Sequence, residues 1–172
     1  MQQLILVDEQ DLPLGAMEKM EAHQKGLLHR AFSVFIFNTK GEMLLQQRAL
    51  SKYHSGGLWT NACCSHPYQG QDTLLAAENR LSEEMGFTVP LKKIFDFVYR
   101  ADFENGLTEY EFDHVYIGHY EAAIAPAPVE VMDFCYSSMS AIRESIVSHP
   151  QKYTAWFKIA FPKLEAYLHP SY

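Results

Sequence analysis

A chain of 172 residues, 48% of them hydrophobic, can bury one sizeable core without disulfides or structural metal, and residues 1–172 are expected to form a single domain. A net charge of -7 with no block of Lys or Arg argues against a nucleic-acid partner, and no apolar run approaches bilayer-spanning length, so a soluble, cytoplasmic protein with no membrane partner is expected. Three cysteines, two of them adjacent, make no disulfide framework and are read as reduced thiols.

In chain order, Leu4-Ile5-Leu6-Val7 predicts a short strand, closed by the turn chemistry of Asp11-Leu12-Pro13-Leu14-Gly15, and a short helix follows over residues 17–23. Residues 31–37, then Asn38-Thr39-Lys40-Gly41, then residues 43–45 predict a β-hairpin with a loop, its first strand buried on both faces. Asp72 caps a helix whose Leu74, Leu75, Ala77, Leu81 and Met85 recur at helical spacing, and Gly86 sits where a left-handed terminator belongs. Residues 94–99 and 109–120 read as strands joined across the polar stretch 102–106. Beyond Ala125-Pro126-Ala127-Pro128 come a strand over 131–136, a helix over 140–148, and a helical stretch over 154–168 interrupted by Pro162. Antiparallel hairpins mixed with a few helices, without regular βαβ alternation, predict an α/β or α+β sandwich on a mixed sheet.

Side chains two residues apart on a strand share a face, so Glu109 and Glu111 can deliver two carboxylates to one cavity while Tyr110 faces away. The plain alternative is an edge strand with a solvated acidic face. His23, His29 and His66 would complete a set of three imidazoles and two carboxylates suited to zinc, manganese or magnesium. His54, His114, His119, His149 and His169 are read as surface or satisfied core residues. Cys64 precedes His66 by two positions and shares its face if that segment is extended, where a nearby cation favours the thiolate. Cys63 and Cys135 are read as small buried hydrophobes.

The combination of His23 and His29, Arg48-Ala49-Leu50-Ser51-Lys52, Trp59-Thr60-Asn61, Cys64-Ser65-His66-Pro67, Tyr99-Arg100-Ala101 and Glu109-Tyr110-Glu111 closely resembles the type I isopentenyl-diphosphate isomerases, over about residues 4–156. The resemblance implies a Nudix-type α/β/α sandwich with a mixed β-sheet. It also implies interconversion of isopentenyl and dimethylallyl diphosphate through a carbocation, by a monomer or weak homodimer acting on a small diphosphate.

By the same resemblance Cys64 and Glu111 are the proton-transfer pair, either serving as acid or base with direction, and Tyr99 positions or relays the Glu111 proton. His23, His29, His66, Glu109 and Glu111 correspond to ligands of one divalent metal, manganese, magnesium or zinc. Glu84 and the Cys64 main-chain carbonyl correspond to ligands of a magnesium arriving with the diphosphate, which Lys19, Arg48, Lys52 and Arg80 hold. Trp156 matches the indole that faces the carbocation. Read without the resemblance, Tyr99 and Trp156 are core aromatics and the four cations ordinary surface residues.

The hydrolytic Nudix signature has Gly, Glu, Arg and Glu where this chain has Ser65, Gln71, Asn79 and Arg80, and it retains Glu83, Glu84 and Gly86. A carboxylate cluster for cleaving diphosphates is therefore incomplete. Ser65 also stands where the isomerases usually carry glycine. The alternatives are a Nudix hydrolase of a nucleoside or prenyl diphosphate and a non-catalytic diphosphate-binding module.

Overall fold

The apolar run ending at Phe37 is the central strand of a computed structural model that describes residues 2–170; residues 1, 171 and 172 of the expected domain lie outside the described residues. The elements are β1 (Gln3–Val7), β2 (Pro13–Glu18), α1 (Lys19–Lys25), β3 (His29–Phe37), β4 (Met43–Arg48), β5 (Trp59–Thr60), β6 (Cys63–Ser65) and α2 (Thr73–Met85). They continue as β7 (Lys92–Asp102), β8 (Thr108–His119), β9 (Val131–Ser137), α3 (Met139–Ser148), a 3₁₀ turn Pro150–Lys152 and α4 (Ala155–Leu168). The strands form one mixed sheet. β3 runs parallel to β8 from His29↔Glu111 to Phe37↔His119 and antiparallel to β6, with Ser33 opposite Cys64. β7 pairs antiparallel with the far edge of β8, and β4 carries β9 and β5.

β3 reads as continuously apolar because both its faces are covered. Phe32, Val34 and Ile36 pack with Ala77, Leu81 and Met85 of α2, whereas Phe35 and Phe37 pack with Ile142 of α3 and Phe157, Phe161 and Leu164 of α4. Each large apolar side chain among them is worth roughly 1.5–3 kcal/mol when fully buried relative to exposure. The α/β/α layering with a mixed sheet follows from this two-sided burial.

Helix α2 ends as its sequence predicts. The Asp72 carboxylate accepts from Leu75 N at 3.0 Å, and Gly86 turns left-handed at φ 78 with its N–H on Ser82 O. The Ala127 N–H bonds to the Glu84 carbonyl, tying the 125–130 connection to the helix end.

Several expectations change. The turn after β1 is built by Asp8, whose carboxylate accepts from Gln10 N and Leu12 N; Pro13 already opens β2, and the helix expected over 17–23 starts at Lys19. Met17 belongs to β2 because it pairs with Leu4. The expected hairpin is a connection only: β3 and β4 pair at Phe37↔Met43 and then diverge to other partners. Helix α4 runs unbroken through Pro162, where the burial of Phe157, Ala160, Phe161 and Leu164 outweighs one missing hydrogen bond. Cys135 is exposed on β9, unlike the buried Cys63. No helix among the described residues is long and apolar enough to cross a membrane.

Candidate active site and metal centre

Sheet register assembles the site. Glu111 lies opposite His29 on β3 and Tyr99 on β7, so one row across three strands presents an imidazole, a carboxylate and a phenol. Glu109, Asp113 and Val115 follow the same alternation as Glu111, and Val115 packs in the α4-side core, which assigns the row to that face. β8 has a strand on each side, so the edge-strand alternative for Glu109 and Glu111 falls, and both carboxylates are buried.

The Tyr99 hydroxyl stands 2.6 Å from Glu111 Oε2 and 2.9 Å from Glu109 Oε2, and His66 Nε2 lies 2.8 Å from Glu111 Oε1. Burial works against the Glu111 charge, but His66 and His29 outweigh it and hold its carboxyl well below the usual range. Glu109 goes the other way, raised by burial and then by the charge of Glu111. Burial and the two carboxylates push the Tyr99 phenol up, so it keeps its proton.

On the other side of the row the sequence Asn61-Ala62-Cys63-Cys64 builds a thiol cradle. Asn61, fully buried, donates to Val34 O and Cys63 O while its Oδ1 accepts from Cys64 Sγ at 3.1 Å. Ser33 Oγ lies 3.4 Å from the same sulfur and donates to Asp113 Oδ2 at 2.6 Å. Burial, and then the charge of Asp113, push the Cys64 thiol up, so the sulfur is protonated here. β6 is extended as the thiol–imidazole argument requires, and Cys64 and His66 open onto one pocket.

The donor atoms of His23, His29, His66 and Glu111 lie within 4.8 Å of one another, all buried. Nδ1 of His23 faces Lys19 O at 2.6 Å and Nδ1 of His29 faces Leu27 O at 2.8 Å. Each Nδ1 must carry a hydrogen to use its carbonyl, which leaves both Nε2 atoms as lone-pair donors. Those Nε2 atoms are buried without a hydrogen-bond partner, His29 Nε2 lying 3.5 Å from Glu111 Oε1, and burial lowers His23 and pushes His66 down to about 3, so these two imidazoles are neutral. Buried neutral imidazoles converging on an ionised carboxylate fit a divalent metal. Glu109 stands outside this group, held between Tyr99 and His54.

Lys19, Arg48, Lys52 and Arg80 line the same half-open pocket, about 500 Å³ counted out into solvent, with Glu84 and Trp156. Burial and then repulsion from Lys52 and Arg80 pull Lys19 below an ordinary lysine. Arg80 bonds Glu84 at 2.9 Å and Glu130 at 3.1 Å, Lys52 also reaches Glu130, and Gln46 donates to Glu84 at 2.8 Å. The Arg48 guanidinium lies over the Trp156 ring at 5.1 Å.

Sequence reasoning missed four neighbours. Ser33 and Asp113 look like strand filler until register sets them beside Cys64. Glu130 stands alone in a Pro-rich connection. His54, read as surface or core, is buried against Glu109, and only the extra imidazole beside Lys52 hinted at it.

Residues 27–157 match the NUDIX domain family. The chain is 48% identical over 165 residues to the isopentenyl-diphosphate Delta-isomerase of Pectobacterium atrosepticum, covering 96% of this chain and 92% of that protein. Identity is 50% over 155 residues to isopentenyl-diphosphate Delta-isomerase 2 of Photorhabdus laumondii subsp. laumondii, covering 90% and 88%. Among solved structures, DR0079 from Deinococcus radiodurans superposes with a TM-score of 0.77 at 15% identity, over 94% of this chain and 98% of that one, a likeness of fold. An Ap4A hydrolase from C. elegans follows at a TM-score of 0.58 and 18% identity, over 81% and 96%.

Proposed function

The chain belongs to the NUDIX family and, within it, to the isopentenyl-diphosphate Delta-isomerases, and on that premise we propose how its residues interconvert isopentenyl and dimethylallyl diphosphate. Cys64 and Glu111 are the proton pair. In the forward direction one adds a proton to the terminal alkene carbon, leaving a tertiary cation at the branched carbon. The other then removes a proton from the neighbouring methylene and closes the new double bond. Reversal exchanges the roles. The observation that carries this reading is that the Cys64 thiol, held by Asn61 and Ser33, and the Glu111 carboxylate, held by Tyr99 and His66, line one pocket.

Tyr99 keeps its proton on Glu111 and fixes that carboxylate's direction, and Asn61 and Ser33 fix the sulfur. The Trp156 ring, beside the pocket, provides a polarizable face for the cation. His23, His29, His66 and Glu111, with Glu109 as the adjacent carboxylate, would hold a divalent ion, manganese, magnesium or zinc. That ion supplies fixed positive charge beside the reacting carboxylate. Lys19, Arg48, Lys52 and Arg80 bind the diphosphate, while Glu84 and the Cys64 main-chain carbonyl receive the magnesium that accompanies it. Arg80, paired with Glu83 and Glu84 where a hydrolase needs a further carboxylate, argues against diphosphate cleavage.

The test is proton NMR of isopentenyl diphosphate with the protein and magnesium in deuterated water, alongside a phosphate-release assay. Deuterium in the methyl groups of new dimethylallyl diphosphate, without phosphate release, is the expected result. Phosphate release without isomerisation would establish the hydrolase instead, and tight binding without exchange a non-catalytic module.

A further inference from the structure

His54 has no part in the reaction as derived so far, yet its surroundings are those of a working residue. It sits on the 49–58 connection between β4 and β5, where a polar ring has no need to be buried, and it is 8% exposed. Its ring stacks on Phe103 at 4.8 Å between centroids and 14° between planes, and it meets Trp156 edge-on at 5.7 Å and 82°. Nε2 stands 3.1 Å from Glu109 Oε1 but makes no aligned hydrogen bond, so a buried nitrogen faces the pocket beside a carboxylate with its capacity unused. Burying such a nitrogen costs free energy that packing alone does not explain. Arg48 Nη2 donates to the His54 carbonyl at 3.2 Å, tying this loop to the cation-lined end of the pocket. Phe103 heads the turn joining β7 to β8, closed by Phe103 N–H on Leu107 O and Gly106 N–H on Phe103 O. The stack therefore joins two connections behind the His54 wall of the pocket.

We infer that His54 is a positioning residue of the isomerisation: it holds Glu109 in place and, clasped by Phe103 against Trp156, screens the Trp156 side of the pocket from water. The inference rests on the isomerase reading. A tertiary cation lives only while no water reaches it. If one does, its oxygen forms a bond to the cationic carbon and releases one proton to solvent. The product is 3-hydroxy-3-methylbutyl diphosphate in place of the alkene.

The experiment compares wild type, His54→Ala, His54→Phe and Phe103→Ala in ¹⁸O-labelled water, after thermal melts have confirmed folding. His54→Ala is expected to lower kcat by about tenfold or more while KM stays within about threefold, because the diphosphate is held elsewhere. It should divert part of the product to the labelled alcohol. Phe103→Ala should leak alcohol as well. His54→Phe keeps the stack and loses the nitrogen, so it should exclude water yet retain the kcat loss. Unchanged kcat with no alcohol in His54→Ala and Phe103→Ala would overturn the inference, as would a fall in activity that merely tracks melting temperature. A wild type that fails to isomerise sinks the isomerase reading and this inference with it. An active wild type with indifferent variants removes this inference alone.

Discussion

Two carboxylates on one strand carry opposite proton affinities here, and the difference comes from their partners. Glu111 has two imidazoles and a phenol, so it stays ionised; Glu109 has one phenol and a misaligned imidazole, and burial raises it. The single Tyr99 hydrogen serves one carboxylate at a time, and its shorter contact selects Glu111. Replacing Glu111 with Gln or Cys64 with Ala is expected to lower kcat by about 10²–10⁴-fold, the usual worth of a positioned acid or base. Circular dichroism and melting temperature should stay near wild type, and near-normal turnover in both variants would remove them from the proton pair. That His23, His29, His66 and Glu111 come together could be read from their donor chemistry, and the family resemblance added Cys64 to them. Ser33, Asp113 and His54 could not be placed this way, since each acquires its role only through a partner on another strand or loop.

At the level of elements, α2 is the piece whose ends matter most to the site, because it carries Arg80 and Glu84 and terminates against the 125–130 connection that carries Glu130. Gly86 adopts φ 78, and an added Cβ would collide with the Ala125 carbonyl oxygen. Gly86→Ala should therefore cost at least about 1–2 kcal/mol from the left-handed backbone alone. That corresponds to a melting temperature lower by about 2–8 °C, at about 2–4 °C per kcal/mol for a chain of this size. Displacing the connection should also raise KM for the diphosphate, measurable in the same preparations. Helix α2 could be read from sequence because Asp72 and Gly86 mark its ends chemically. Strands β2, β5 and β6 could not: two are only two or three residues long, and β2 is a strand because β1 lies beside it. The β3–β4 connection was misread because local turn chemistry does not reveal that the two strands part after one pair.

For the whole molecule, metal binding and protonation should compete. His23, His66 and His114 are all lowered from the ordinary histidine value of 6.5 by burial, so the unfolded chain binds protons more readily than the folded one. These three groups make stability rise with pH across the window below about 6.5, while Glu84, Glu109 and Asp113, raised by burial, oppose them from the carboxylate side. Chelated protein should melt at a lower temperature at pH 5.5 than at pH 7.5. Manganese or zinc should raise the melting temperature at pH 7.5, by an increment equivalent to about 2.7 kcal/mol when free metal is 100-fold above its dissociation constant. The increment should vanish in His29→Gln, and a shift that survives that substitution would move the ion elsewhere. A sandwich on a mixed sheet was legible, because two-sided burial leaves continuous apolar strands and one-sided burial leaves periodic helices, and the family resemblance supplied its α/β/α layering. Which residues meet across the layers depends on register, which local patterns do not encode.

The parallel pairing of β3 with β8 sets a schedule as well as a geometry. Every group gathered from the first 66 residues waits for a strand made much later in synthesis, and parallel pairing forms slowly because a long loop must close before any contact rewards it. Helix α2, whose backbone hydrogen bonds are local and whose ends carry their own caps, can form long before His29 finds Glu111. In refolding, recovery of helical signal should thus run ahead of metal uptake.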